Sequence, residues 1–284
     1  MLFSEKNGLK NHLKALQAKS KSIGFVPTMG ALHDGHISLM KKALIDNDHL
    51  IVSIFVNPTQ FNNAEDLAKY PRKPQKDLDF IKSKLKMKNI TVYLPDVDNV
   101  YGENVVSRDY NFNGLEHEME GTNRPGHFDG VGTVLEFFFK LIEPNRAYFG
   151  EKDFQQLKIV EKLVEILNLN IKIIGCPIER ENTGLARSSR NQRLSDKSRI
   201  TAAKIYQSLL LVKEIYDSNH PLKVTEIIEE VYKKESDLTL EYFVIAHEDS
   251  LKPVEIIDDS TTGLRAFIVV HIDGVRLIDN LKLS

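Results

Sequence analysis

The 284-residue chain contains no tryptophan and a single cysteine, Cys176. One thiol excludes an internal disulfide and a cysteine-based zinc site, and leaves Cys176 as a small hydrophobe suited to a reducing compartment. Long apolar runs are missing too. The longest candidate, over 131–142, is broken by Glu136 and Lys140 and is too short to span a bilayer. Residues 1–20 hold Glu5 and several lysines among scattered apolar positions, without the hydrophobic region or cleavage site of a secretion signal. Nor does one charge dominate: 38 Lys and Arg face 40 Asp and Glu. Such a balance gives no field to gather nucleic acid or an acidic membrane. Together these absences imply a cytoplasmic protein without nucleic-acid or membrane partners, in which any bound anion is met by local groups.

What is present suits a globular enzyme. The chain is 42% hydrophobic, long enough to bury a core in one large domain or two unequal ones. An apolar run over 23–26 stops at Pro27 and leads through a glycine-containing loop into helical spacing over 37–44. A second run, 50–56, is nearly continuous, as in a parallel strand covered on both faces. The pattern then predicts a helix over 74–84, a strand over 91–94, a helix over 131–142, a strand over 147–149, a helix over 154–167 and a strand over 171–176. Repeated strand and helix units predict an α/β fold, a Rossmann-like, doubly wound parallel sheet whose ligands sit at the carboxyl ends of the strands.

Near Ile178 the style changes. An arginine-rich loop is followed by helical patterns over 196–216 and 222–235 and by antiparallel-looking strands over 240–246 and 266–272. The polar segment 249–263 reads as the connection between those strands. The division is therefore 1–178 for a Rossmann-like domain and 179–284 for a smaller α+β domain.

Five loops carry chemistry. The first, Pro27-Thr28-Met29-Gly30-Ala31-Leu32-His33-Asp34-Gly35-His36, sets two imidazoles three residues apart where a helix begins. Helix N–H groups and the helix dipole favour a phosphate there, and imidazoles can donate to a phosphoryl oxygen as its charge grows. A turn whose histidines cap the helix or bind a metal is the structural alternative. The second loop, 55–61, delivers Gln60 to the same sheet edge, where its amide can both donate and accept, although a turn amide bonded to nearby backbone has the same sequence. Tyr70-Pro71-Arg72 and 124–130, with Arg124, count together as the third.

The fourth loop, Gly150-Glu151-Lys152-Asp153, offers a glycine turn and a lysine for phosphate oxygens, while Asp153 and Gln156 also fit a simple capping box. The fifth, Arg187-Ser188-Ser189-Arg190-Asn191, is an anion clamp able to close over a triphosphate, or else a hinge of solvated arginines.

Five motifs in this order resemble the pantothenate synthetases, within a nucleotidyltransferase superfamily marked by the His-x-x-His helix start. The likeness continues weakly to Arg276-Leu277-Ile278-Asp279-Asn280. It implies ATP-dependent joining of pantoate to β-alanine through pantoyl adenylate, with release of AMP and pyrophosphate. It also implies a homodimer and the use of Mg²⁺, for which Asp77 is a candidate ligand. By the same resemblance, His33, Lys152, Ser188, Ser189 and Arg190 serve catalysis beside His36, the proton donor. ATP would contact Met29 to His36, Gly150 to Asp153, Glu179 and Arg187 to Arg190. Gln60 and Gln156 would hold pantoate, and Gln60 β-alanine as well. Arg187 departs from the hydrophobic residue expected there, so its contact with nucleotide falls to its backbone. Another nucleotidyl transfer on the same scaffold, with a different acceptor, is the rival activity, and a non-catalytic nucleotide sensor is the rival of another class.

Overall fold

The computed structural model describes residues 1–62, 64–216, 220–256 and 261–284. Contacts divide the chain into two compact units, one of Met1–Glu151 with Gln155–Pro177, the other of Lys152–Phe154 with Ile178–Ser284. The short segment Lys152–Phe154 thus belongs with residues far downstream, which no single cut of the chain foresees.

The first unit runs β1 (Leu2–Phe3), α1 (Lys6–Gln17), β2 (Ile23–Thr28), α2 (Asp34–Asp46), β3 (His49–Ile54), α3 (Ala64–Lys69), α4 (Pro74–Lys84), β4 (Ile90–Tyr93), α5 (Val97–Tyr101), α6 (Met119–Asn123), α7 (His127–Ile142), β5 (Arg146–Gly150), α8 (Phe154–Ile166) and β6 (Lys172–Cys176). Its strands form one parallel sheet in the order β1-β4-β3-β2-β5-β6. This is the Rossmann-like α/β fold the alternation implies. β3 is buried along its whole length and apolar except for His49 and Ser53, and helices cover both faces of the sheet. Val26, Val52 and Val92 meet Ile37, Met40 and Ile81 of α2 and α4 in one cluster. On the other side Phe25 packs against Phe138 and Phe139 of α7. Each such fully buried aromatic contributes about 1.5–3 kcal/mol.

The strand order reverses at β2. The chain proceeds outward to β3 and β4, then returns to place β5 on the other side. β2 pairs with β3 from Ile23 to Thr28, but its pairing with β5 covers only Gly24 and Phe25. The strand runs on through Pro27, which has no N–H to give to a ladder. Such a switch point leaves a crevice at the carboxyl ends of the strands, and the loops after β2 and β5 border it.

α1, β1 and the last strand escape sequence reading. Only Leu9 and Leu13 of α1 are buried, a narrow stripe in a lysine-rich segment. α4 spans the expected residues, and α7 starts four residues earlier than its apolar run.

The second unit contains α9 (Asp196–Thr201), α10 (Lys204–Ile215), α11 (Pro221–Lys233), β7 (Thr239–His247), β8 (Leu264–Ile272) and β9 (Val275–Lys282). Among the described residues its sheet is antiparallel, β7-β8-β9, and α10 and α11 pack on it through Leu209, Val224, Ile228 and Ile268. The single helix expected over 196–216 is two. Ala203, Ile205 and Tyr206 each donate to the carbonyl three residues back, a 3₁₀ tightening that interrupts the α-helical ladder. The connection expected over 249–263 includes 257–260, which lie outside the described residues.

Candidate active site

The first loop leaves β2 at Thr28, whose hydroxyl donates to the Ser53 carbonyl and accepts from the Gly30 N–H. Gly30 and Ala31 then take left-handed conformations, φ 81° and 50°. For Ala31 this is a strained region. It turns successive N–H groups to one side, and the Asp77 carboxylate fills that position, accepting from Ala31 at 3.1 Å and Leu32 at 2.8 Å. The backbone N–H groups of Ala31 and Leu32, within the stretch expected to contact ATP, are thus taken by an internal anion. Asp77, read as a Mg²⁺ ligand, is 5% exposed and spends both oxygens on the loop.

His33 is the N-cap of α2. The Gly35 N–H donates to His33 Nδ1, and the His33 N–H donates to His36 Nδ1, each at 3.2 Å, a capping box built from two imidazoles. The ring centroids are 4.1 Å apart. A ring nitrogen that accepts carries no proton, so each neutral ring bears its hydrogen on Nε2. Capping and donation are therefore not alternatives here: the cap uses one nitrogen of each ring and fixes the other as a donor. Asp34 pairs with Lys84 Nζ at 3.0 Å, both side chains well exposed.

The second loop is a 3₁₀ turn, Pro58–Gln60, after β3. Gln60 is 7% exposed, and its amide is oriented. Oε1 accepts from Asn57 Nδ2 at 3.1 Å, while Nε2 lies 2.6 Å from the Met29 sulfur. Met29 is the first residue after β2, so the two loops meet at this contact. Asn57 itself is held by the Tyr101 hydroxyl and donates to the Gly130 carbonyl.

The block 124–130 braces the same turn. His127 Nδ1 faces the Gln60 carbonyl at 2.8 Å and must donate to it, which leaves Nε2 to accept from Arg124 at 3.1 Å. Arg124 also reaches the Gln60 carbonyl. At Gly130 an added Cβ would lie 2.5 Å from the Thr59 carbonyl oxygen, so only glycine lets α7 approach the turn this closely. Arg124 is accordingly a brace for Gln60. Sequence reading missed Asn57, His127 and Gly130 in this role because their partners lie up to 73 residues away.

After β5, Gly150 sits opposite Cys176 in the parallel register. Burial pushes the Cys176 thiol up to about 11, which keeps it protonated and unreactive. Gln155 of α8 is buried, its amide bonded to Leu115, Glu118 and Glu120. Its neighbour Gln156, the candidate ligand, is half-buried.

In the second unit, Lys152, Ser188 and Arg190 line one small cleft with Arg276 and Asp279. β8 and β9 hold the Lys152 segment. Asn280 Nδ2 donates to the Lys152 carbonyl at 2.9 Å, and the Arg265 guanidinium lies 3.9 Å from the centre of the Phe154 ring. Arg180 makes a bidentate pair with buried Asp279, at 2.6 and 3.0 Å, and stacks on Tyr206. Ser188 caps the 3₁₀ turn Ser189–Arg193, its hydroxyl accepting from the Arg190 N–H. Buried Asn191 ties that turn to Glu181 and the Ala186 carbonyl. Burial alone would raise Glu181, but bonds from Arg199 and Asn191 outweigh it and hold the carboxyl below its ordinary range. The Arg187 N–H donates to the exposed Glu179, closing a hairpin. The nucleotide contact expected from that backbone is thereby limited to the Arg187 carbonyl. Among the described residues no three His, Cys, Asp or Glu side chains converge to hold a metal, and no helix is long and apolar enough to cross a membrane.

Residues 1–282 match the family model described as pantoate-beta-alanine ligase. A pantothenate synthetase of Christiangramia forsetii is 47% identical over 283 residues, covering 100% of this chain and 99% of that protein. One of Aquifex aeolicus is 40% identical over 286 residues, with coverage of 100% and 99%. Among solved structures, a pantothenate synthetase from Thermus thermophilus superposes with a TM-score of 0.88 at 34% identity, covering 100% and 99% of the two chains. A Francisella tularensis pantoate-beta-alanine ligase, complexed with beta-gamma ATP and beta-alanine, gives 0.80 at 35% identity and coverage of 100% and 97%.

Proposed function

The chain belongs to the pantoate-beta-alanine ligase family, and from that premise we propose how its residues join pantoate to β-alanine at the expense of ATP. A carboxylate oxygen of pantoate attacks the α-phosphorus, the bond to the β-phosphate oxygen breaks, and pyrophosphate leaves pantoyl adenylate behind. The β-alanine amine then attacks the activated carbonyl and AMP departs. In-line displacement at phosphorus needs alignment and charge stabilisation rather than a covalent nucleophile.

The Nε2–H groups of His33 and His36 donate to the α-phosphoryl oxygens as negative charge gathers there. Gln60 offers Nε2 to pantoate, and later to β-alanine, because its oxygen is already committed to Asn57. Gln156 supplies the second amide. Lys152, Ser188, Ser189 and Arg190 hold the phosphates, with Gly150, Glu151, Asp153 and the Glu179/Arg187 hairpin around the nucleotide. Mg²⁺, when present with the triphosphate, would offset its charge beside Lys152 and Arg190, and would need few protein ligands because a hard cation keeps several waters. We further infer a homodimer working in the cytoplasm.

The observation that carries this reading is the contact of Met29 with Gln60, which puts the imidazole pair and the acid-binding amide on one sheet edge. The test is to supply the full chain with ATP, Mg²⁺, pantoate and β-alanine. Pyrophosphate is expected only when pantoate is present, and AMP and pantothenate in equal amounts once β-alanine is added. Pyrophosphate release indifferent to pantoate refutes the reading.

A further inference from the structure

The nest of left-handed residues ahead of His33 is built to bind an anion, yet the anion is part of the chain. Two consecutive N–H groups converge on one point, an arrangement that attracts phosphate in many proteins. Here Asp77 supplies that charge from a position 46 residues away in sequence, in the first turn of α4. The helix behind it is anchored. Leu78 and Ile81 are buried in the same cluster as Leu32 and Ile37 of the loop and α2. Gly30 closes over the carboxylate so tightly that a Cβ there would lie 2.9 Å from Oδ2. The loop cannot hold this shape by local preference, since Ala31 stands at φ 50°.

We propose that Asp77 is a positioning residue for adenylate formation: as an internal anion on the Ala31 and Leu32 N–H groups, it fixes the loop that sets the His33/His36 pair in line with the α-phosphorus. This rests on the functional reading above. The path is short. Leu32 adjoins the N-cap His33, whose N–H holds the His36 ring, so release of the nest lets both rings turn. An asparagine at 77 keeps at most one of the two bonds, because its amide nitrogen would meet the second N–H with another donor. Alanine keeps neither, and leaves a space of the size and sign that suit a small carboxylate.

The experiment measures pantoate-dependent pyrophosphate release by the full chain with Asp77→Ala and Asp77→Asn. Alanine is expected to lower kcat about 10²-fold, the scale of a misplaced catalytic group, and asparagine to lower it less. The KM for pantoate and the Mg²⁺ half-saturation should stay near wild type. Added formate or acetate should restore part of the alanine variant's rate, and in a His36→Ala background the loss from Asp77→Asn should nearly vanish. Undiminished rates overturn the proposal, as does a raised Mg²⁺ half-saturation, which would make Asp77 a metal ligand. Should the alanine variant fail to fold by circular dichroism, the asparagine cycle with His36 decides alone, and additive losses overturn it. Wild-type chain that releases pyrophosphate without pantoate contradicts the functional reading instead, so the two failures are distinguishable.

Discussion

The loops after β2 and β3 and the clamp of the second unit solve different problems with different chemistry. In the first unit the proposed working groups are neutral, and three of them are oriented by a second bond: His33 and His36 Nδ1 by a backbone N–H, Gln60 oxygen by Asn57. In the second unit the groups proposed to hold phosphate are Lys152, Arg190 and two serines, all half-buried; the arginine and serines stand at a turn tied through Asn191 to Glu181, beside the ion pair of Arg180 with buried Asp279. A small polyhydroxy acid has to be aligned with a phosphorus atom, and neutral donors with fixed directions do that. A polyphosphate needs charge more than direction, because a lysine acts as a point charge and its attraction falls off slowly with angle. Rigidity is placed where direction matters.

The hardest blow to the clamp comes from below it. Asp279 is 4% exposed and holds Arg180 by both oxygens. Asp279→Ala leaves a guanidinium buried without its partner, at a cost of about 3–5 kcal/mol. Denaturant unfolding followed by circular dichroism should show the second unit's transition shifted by that amount. An unchanged midpoint would mean that the pair does not secure the turn. His36→Ala strikes the other region and should spare stability while lowering pantoate-dependent pyrophosphate release about 10²–10³-fold, the usual loss of one transition-state donor. A rate within a small factor of wild type removes that ring from the chemistry.

The two regions are not equally legible in the sequence. The candidate side chains lie in contiguous strings, so ordered motifs and the family resemblance they carry single out His33, His36, Gln60, Lys152 and Ser188, and the parallel sheet follows from alternating strand and helix signals. The residues that orient them leave no such mark. Asp77 looks like any acid in a first helical turn, and reads as a metal ligand; Asn57 looks like a turn residue before proline. Asp77 meets the loop from 45 or more residues away, and Asn57 is anchored on Gly130 from 73, and no periodicity marks such a contact. The same reason hides the purpose of β9, whose Asp279 and Asn280 grip Arg180 and Lys152.

A smaller effect separates the sheet from the site it carries. His49, at the start of β3, and His12 of α1 share the Thr91 hydroxyl at 2.9 and 3.0 Å. Burial pushes His49 down from 6.5 to about 4, and His12 downward also. These rings stay neutral in the folded chain but protonate once it unfolds. Stability is therefore intact above pH 6.5, declines as pH falls through the window from 6.5 to about 4, and settles lower below it. The loss is about 3 kcal/mol for His49, which lies at the opposite end of β3 from Gln60. Unfolding free energies measured across that window should flatten in His49→Gln, and an equal slope in the variant would assign the acid sensitivity elsewhere.

The smallest effect is a contrast between two carboxylates of one loop region. Asp34 sits in the first turn of α2, two residues from His36, and its ion pair with Lys84 is 3.0 Å long, shorter than the Asp77 bond to Ala31. Distance alone would rank it as the stronger support. Exposure reverses the ranking, since both side chains are 43% exposed, and solvated pairs contribute only about 0–1 kcal/mol. Asp77, by contrast, has exchanged water for two backbone donors and cannot be replaced by solvent without moving the loop. Lys84→Ala should accordingly change both stability and pyrophosphate release by less than about fivefold in the corresponding constants. A loss approaching that of Asp77→Asn would show that the outer pair, and not the buried carboxylate, sets the angle at which α2 presents its two rings.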